Sequence, residues 1–170
     1  MKLSTLLKDV ETLNVYEDVE VERVTDNNKD NLENALYVCI DGNRVDGHSL
    51  AKAAVKMGAV AVLTSYDLGI VNQIIVKNTR QAYAKISANF YGNPAEKLKL
   101  IGVTGTNGKT STAFFIKGIL ENIGKKCGII GTVKNCVGNS ESEATLTTPE
   151  PMKLHKLFSQ MVDNGCEYCV

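Results

Sequence analysis

The chain has 170 residues, 44% hydrophobic and 22% charged, with 19 basic side chains balanced by 19 acidic ones. That composition is too apolar for a disordered chain, and without a basic stripe or charged tail nucleic acid is not an expected partner. No apolar run approaches the roughly 20 residues that cross a bilayer, and Lys8 and Asp9 interrupt the apolar stretch a signal peptide needs, so no membrane insertion and a cytoplasmic location are expected.

In chain order, Glu20-Val21-Glu22-Arg23 alternates like a half-exposed strand with solvated charges. Residues 36–40, L-Y-V-C-I, read as a strand and lead into the turn-rich D-G-N-R-V-D-G. Asp46-Gly47 reads as a turn and cap, which gives His48 a structural place in it. Leu50, Ala53, Ala54 and Met57 recur at helical spacing until Gly58 stops them. Strands follow at 59–64 and 73–76, then a helix over 80–91 that buries Tyr83, Ile86 and Phe90. These elements form an α/β unit able to bury its own core.

The run G-N-P-A-E-K (92–97) breaks the periodicity. It divides a first domain, 1–93, from a linker at 94–98 and a second domain, 99–170. The second opens with a strand at 99–104, a glycine-rich loop and a helix from about 109 to 123. Ala113, Ile116 and Leu120 share one side of that helix, with Phe115, Ile119 and Ile123 adjoining. A strand at 126–131, an exposed polar loop at 134–146 and a further helix come next. That last helix carries Leu154, Leu157, Phe158 and Met161 at helical spacing, has Pro149 or Pro151 in its first turn, and leaves His155 on its solvated face. Thr147 and Thr148 are either its cap or ligand residues. The end, E-Y-C-V (167–170), reads as a strand. A β-loop-α-β order of this kind starts a parallel sheet of the P-loop type. The five cysteines, an odd number, read as buried free thiols; Cys166 and Cys169 are half a zinc site at most, with no second pair to complete it.

The chemistry concentrates at 101–111, I-G-V-T-G-T-N-G-K-T-S. A loop between a strand and a helix N-terminus offers unpaired N–H groups and the positive end of the helix dipole. Gly105 and Gly108 allow the backbone to approach a phosphate closely, Lys109 supplies a mobile cation, and Thr110 offers a hydroxyl to Mg²⁺. Thr104, Gly105, Thr106, Asn107, Gly108, Lys109 and Thr110 are therefore the candidate ATP site. The strict pattern G-x-x-x-x-G-K-[ST] fails because residue 103 is valine, which leaves a ligand-free glycine turn as the competing reading.

The loop G-T-N-G-K-T (105–110) resembles the ATP loop of the Mur ligase family, the ATP-dependent amide-forming ligases of peptidoglycan precursor synthesis; folylpolyglutamate and cyanophycin synthetases share such a loop. The stretch 36–63, with its D-G-H (46–48), looks like the uridine-binding N-terminal domain of the muramyl ligases. G-T-V (131–133) followed by T-T-P-E-P (147–151) is most similar to the members that add the third peptide residue. The resemblance implies carboxylate activation by ATP to an acyl phosphate, amine attack to give the amide, and Lys109 as the catalytic cation. The implied cofactors are ATP and Mg²⁺; the implied partners are UDP-N-acetylmuramoyl-dipeptide and an amino acid. By position it places the uridine substrate near Asn28, Asn43, Arg44 and Val45, and the muramoyl-peptide part near Thr147 and Thr148. The family's Ser-Arg reads Asn28-Lys29 here. It also implies that this chain is an N-terminal piece, one full domain and the opening of the ATPase domain, unable to ligate alone and open to self-association, from a monomeric parent. A ligase adding the terminal dipeptide, a divergent relative, and a nucleotide-binding module without catalysis are the alternatives.

Overall fold

The computed structural model describes residues 1–42, 45–138, 140–144 and 146–170, and the chain divides into two compact units, Met1–Phe90 and Tyr91–Val170. The first unit is built on four parallel strands, β1 (Arg23–Thr25), β2 (Ala35–Val38), β3 (Ala61–Thr64) and β4 (Gln73–Ile75), in the order 1-2-3-4. Leu36 pairs with Val24 on one side and Ala61 on the other. Every residue of β2 and β3 is buried, which is why 36–40 reads as a continuous apolar run rather than an alternating one. Ala35, Tyr37 and Cys39 face α2 (Ala51–Lys56), where they join Ala51, Ala54 and Val62 in one core. Leu36 and Val38 point to the opposite face. There α1 (Leu3–Leu6) meets α3 (Thr79–Phe90), and the Asn89 amide donates to Leu6 O at 2.9 Å and Lys8 O at 2.8 Å.

The β4 edge is covered by the Asn14 side chain, acting as a peptide group, and by the neighbouring backbone, where Leu13 N donates to Ile75 O at 2.7 Å. Asn14 Nδ2 donates to Gln73 O at 2.8 Å while its Oδ1 accepts from Ile75 N at 2.7 Å. Unpaired strand edges invite association, and these bonds from Leu13 and Asn14 occupy the β4 edge.

The second unit holds β5 (Lys99–Leu100), α4 (Lys109–Asn122), β6 (Cys127–Gly128), β7 (Lys134–Val137), β8 (Ser140–Glu143), α5 (Pro151–Asp163) and β9 (Tyr168–Cys169). The last strand sits centrally, in the order β5-β9-β6, parallel to both neighbours. Its core joins Leu98, Val137, Leu157, Phe158, Met161, Cys166 and Cys169, and all five thiols of the chain are buried and free.

Several expectations change. The segment 94–98, expected as a linker, is a 3-10 turn over Pro94–Lys97 followed by buried Leu98, packed against α5 within the second unit. The 134–146 loop contains an antiparallel hairpin, β7 with β8, because Asn135, Cys136 and Val137 are buried even though β8 is wholly exposed. The helix α4 has the expected span but no buried residue, and Phe115, Ile119 and Ile123 are 72%, 65% and 67% exposed. Strands of two residues offer too narrow a surface to cover more than its Ala113, Ile116 and Leu120 side, which is half-buried.

His155 also departs from its expected solvated face. It is half-buried edge-on to Phe158, with ring centroids 5.7 Å apart, and its Nδ1 is sequestered without a hydrogen-bond partner. Burial lowers its pKa from the ordinary 6.5. The folded form therefore binds this proton less readily than the unfolded chain, and stability falls as pH drops from 6.5 towards the lowered value. Urea unfolding of the second unit from pH 8 to about pH 5 is expected to show this loss, and His155→Phe to flatten it; an unchanged slope in the variant would assign the dependence to other groups.

Candidate functional site

The helix α4 starts directly from the glycine loop. Gly108 occupies its N-cap position in the left-handed region (φ 76°), without a side-chain cap, and Gly105 has φ 150°. The first α4 bond donated to the loop comes from Thr112 N, to Gly108 O at 2.9 Å. The amides of Lys109, Thr110 and Ser111 thus precede it and point out of the helix end, as a first helical turn requires. A Cβ on Gly108 would meet nothing within 4 Å, so glycine is there for its backbone angle and leaves the approach open.

Lys109 folds back over the loop, its Nζ donating to Gly105 O at 2.7 Å and Thr106 O at 3.3 Å. An ammonium has three hydrogens, so one remains for an incoming oxygen. Thr104, Gly105, Thr106, Asn107, Gly108 and Thr110 are exposed, which places the whole candidate phosphate loop in reach of a ligand.

A cavity of about 290 Å³ opens beside this loop, at the carboxyl ends of β5, β6 and β9. Parallel sheets bind ligands at that edge. Its floor is apolar, with Ile101, Ile129, Phe158 and Val170, and Lys109, Thr110, Thr147 and Thr148 line it together. The two threonines do not cap α5: the helix begins at Pro151, with Glu150 at the N-cap position making no side-chain cap bond. Instead both are exposed, and Thr132 Oγ1 donates to Thr147 Oγ1 at 3.4 Å.

Sequence reading missed Lys134 at this cavity. Its Nζ lies 2.6 Å from Glu141 of β8 and 5.4 Å from the centre of the Phe114 ring. Glu141 raises the Lys134 pKa, and Lys134 in return lowers that of Glu141. Nothing in K-N-C-V predicts this, because the pairing depends on the hairpin.

In the first unit the segment after β1 forms a self-bonded turn. Thr25 Oγ1 donates to Asp30 Oδ2 at 2.6 Å, Asn27 Nδ2 to Asp30 Oδ1 at 3.0 Å, and Lys29 N to Asn27 Oδ1 at 3.1 Å. Asn28 is half-exposed in this turn. Of the second expected segment, Asn43 and Arg44 lie outside the described residues; Val45 is 55% exposed. Two residues one turn apart on α3 bond nearby chain: Tyr83 donates to Asp26 Oδ1 of the first segment at 3.2 Å, and Arg80 Nη2 donates to Asp41 O, ahead of the second, at 2.9 Å. The expected uridine residues and the threonine pair therefore belong to different compact units.

The chain matches two family models, "Mur ligase family, catalytic domain" over residues 31–91 and "Mur ligase middle domain" over 103–170. It is 45% identical to the UDP-N-acetylmuramoyl-L-alanyl-D-glutamate--2,6-diaminopimelate ligase of Clostridium perfringens, over 100% of this chain and 36% of that protein. The ligase of the same name from Alkaliphilus metalliredigens is 43% identical over 100% of this chain and 35% of its own length. The chain thus spans about a third of the curated relatives it matches. Among solved structures, MurF from Acinetobacter baumannii shares the fold with a TM-score of 0.63 at 17% identity, over 98% of this chain and 34% of that one. With both of its halves matched by models of one family, and its full length matched by ligases of that family, the chain belongs to the Mur ligase family.

Proposed function

We propose that this chain serves an ATP-dependent ligase that joins an amino acid to UDP-N-acetylmuramoyl-L-alanyl-D-glutamate in peptidoglycan precursor synthesis, a cytoplasmic reaction tied to cell growth and division. The carrying observation is that Lys109 and Thr110, at the open N-terminus of α4, line one cavity with Thr147 and Thr148. The 45% identity to a diaminopimelate ligase supports this substrate class.

The chemical problem is to bring a carboxylate onto the γ-phosphate of ATP, two anions that repel. In this reading the amides of residues 105–110 and the α4 dipole hold the phosphates, and the free hydrogen of Lys109 Nζ follows charge onto the γ-phosphate oxygens as the carboxylate attacks. The products of that step are ADP and an acyl phosphate; the amine of the incoming amino acid then displaces phosphate to form the amide. Thr147 and Thr148, with exposed hydroxyls on the same cavity, orient the carboxylate-bearing peptide. Thr110 would hold Mg²⁺ through its hydroxyl, consistent with its exposed place in the first turn of α4; Mg²⁺ would supply further neutralisation of the phosphates. In the first unit, Asn28, Asn43, Arg44 and Val45 are the proposed uridine contacts.

Isothermal titration of the chain with UDP-N-acetylmuramoyl-L-alanyl-D-glutamate, with folate and UMP as comparisons, tests the reading. Binding of the muramoyl nucleotide and of UMP, reduced by Asn28→Ala, is expected. A folded chain that takes up folate, or no uridine ligand at all, would overturn it.

A further inference from the structure

Among the described residues, two charged side chains line the cavity of the second unit, and both are lysines, Lys109 and Lys134. They stand beside an apolar floor with no carboxylate among the lining residues. A cleft with charge of one sign and low-dielectric walls draws ligands of the opposite sign. The glycine loop accounts for Lys109; Lys134 comes from β7 and has no part in that motif. Its Nζ donates across the hairpin to Glu141 Oε1 at 2.6 Å and lies 5.4 Å from the centre of the Phe114 ring of α4. The ring face holds the ammonium beside the helix that begins at the glycine loop. Glu141 takes one of three ammonium hydrogens. It is not itself among the lining residues, and its side chain is 59% exposed against 33% for Lys134. Exposed pairs of this kind contribute little, so an anion within the cavity can draw the ammonium away from Glu141 at small cost.

We propose that Lys134 is a second anion-binding residue of this cavity, exchanging Glu141 for an anionic oxygen of the ligand, either on the terminal phosphate of ATP or on a carboxylate of the muramoyl peptide. This rests on the ligase reading and deepens it: two anions that repel are met by two lysines, and the glycine loop supplies only one of them. Glu141 is then a competitor of the ligand, holding the cation while the cavity is free.

Isothermal titration of the 170-residue chain decides it, with Mg-ATP against Mg-ADP and with UDP-N-acetylmuramoyl-L-alanyl-D-glutamate against UMP. Lys134→Met is expected to weaken binding of the ligand that carries the anion about tenfold, with Lys134→Arg within roughly threefold of wild type. Glu141→Gln removes the competitor and is expected to tighten the same ligand roughly two- to fivefold. A mere brace across the hairpin predicts otherwise, because methionine at 134 and glutamine at 141 break the same ion pair and would shift affinity in one direction. Shifts of the same sign in these two variants, or a Lys134→Met chain that binds every ligand as the wild type does, would overturn the proposal. A loss for ATP that ADP does not share assigns the terminal phosphate; a loss for the muramoyl dipeptide that UMP does not share assigns the carboxylate. Equal losses for ATP and ADP, with the muramoyl ligand unmoved, would overturn both assignments. A folded wild-type chain that binds neither ATP nor the muramoyl nucleotide would overturn the ligase reading and this inference together.

Discussion

Replacing Lys109 by methionine is expected to weaken Mg-ATP binding by roughly 10- to 150-fold, the loss of one hydrogen bond to a charged group. Methionine keeps much of the unbranched stem, so the change isolates the ammonium. In the free chain that ammonium spans the loop from Gly105 O to Thr106 O. A substitution therefore also removes the clip that holds the loop closed, and Lys109→Ala, lacking the stem as well, is expected to lose at least as much. Isothermal titration with Mg-ATP measures the effect. Titration of the same variants with UMP is the control, because its proposed contacts Asn28 and Val45 belong to the other compact unit. Mg-ATP binding equal to wild type in both variants would remove Lys109 from the phosphate role.

How much of this site is written in the sequence depends on whether the signal is local. The glycine loop is local: a turn with Gly108 at a left-handed position before a helix is specified within six residues, and it forms where expected. The helices α3 and α5 are similarly legible, because Ile86 and Met161 mark buried stripes that really are covered, each 0% exposed. The α4 stripe carries the same periodic signal, yet Phe115 and Ile119 are exposed; periodicity reports which side of a helix is apolar, not whether a surface exists to receive it. The hairpin was hidden for a related reason. S-E-S-E in β8 has no apolar alternation, and only its pairing with the buried Asn135 and Cys136 makes it a strand. Lys134 on the Phe114 ring and Asn14 on the β4 edge are non-local pairings of the same kind, separated in sequence by twenty and about sixty residues. No motif length reaches them.

The glycine of D-G-H makes the opposite case, in which a residue looks like ordinary turn punctuation and is in fact dictated by a distant strand. Gly47 is buried, with Gly47 N donating to Ile40 O at 2.9 Å and Tyr37 OH donating to Gly47 O at 3.4 Å. A Cβ at this position would stand 2.8 Å from Ile40 N, 2.9 Å from Ile40 O and 3.3 Å from Cys39 Cα. All three are backbone atoms of the two residues that follow the central, wholly buried strand β2, so no side-chain rotation can relieve the contact. Gly47→Ala is expected to destabilise the first unit by about 2–3 kcal/mol, the cost of overpacking a close-packed interior. For a unit of this size the unfolding midpoint would fall by roughly 10–20 °C. Gly118→Ala provides the contrast within the same chain. Gly118 lies inside α4, where an added Cβ meets nothing within 4 Å, and alanine there is expected to stabilise the second unit by about 0.5–1 kcal/mol through helix propensity. Hydrogen exchange at β2 and at β9 reads the two units separately as denaturant is raised. Opposite signs for the two alanines would show that close approach to β2, rather than turn chemistry, selects the glycine before His48. A neutral Gly47→Ala would mean that Gly47 can lift off Ile40 at little cost.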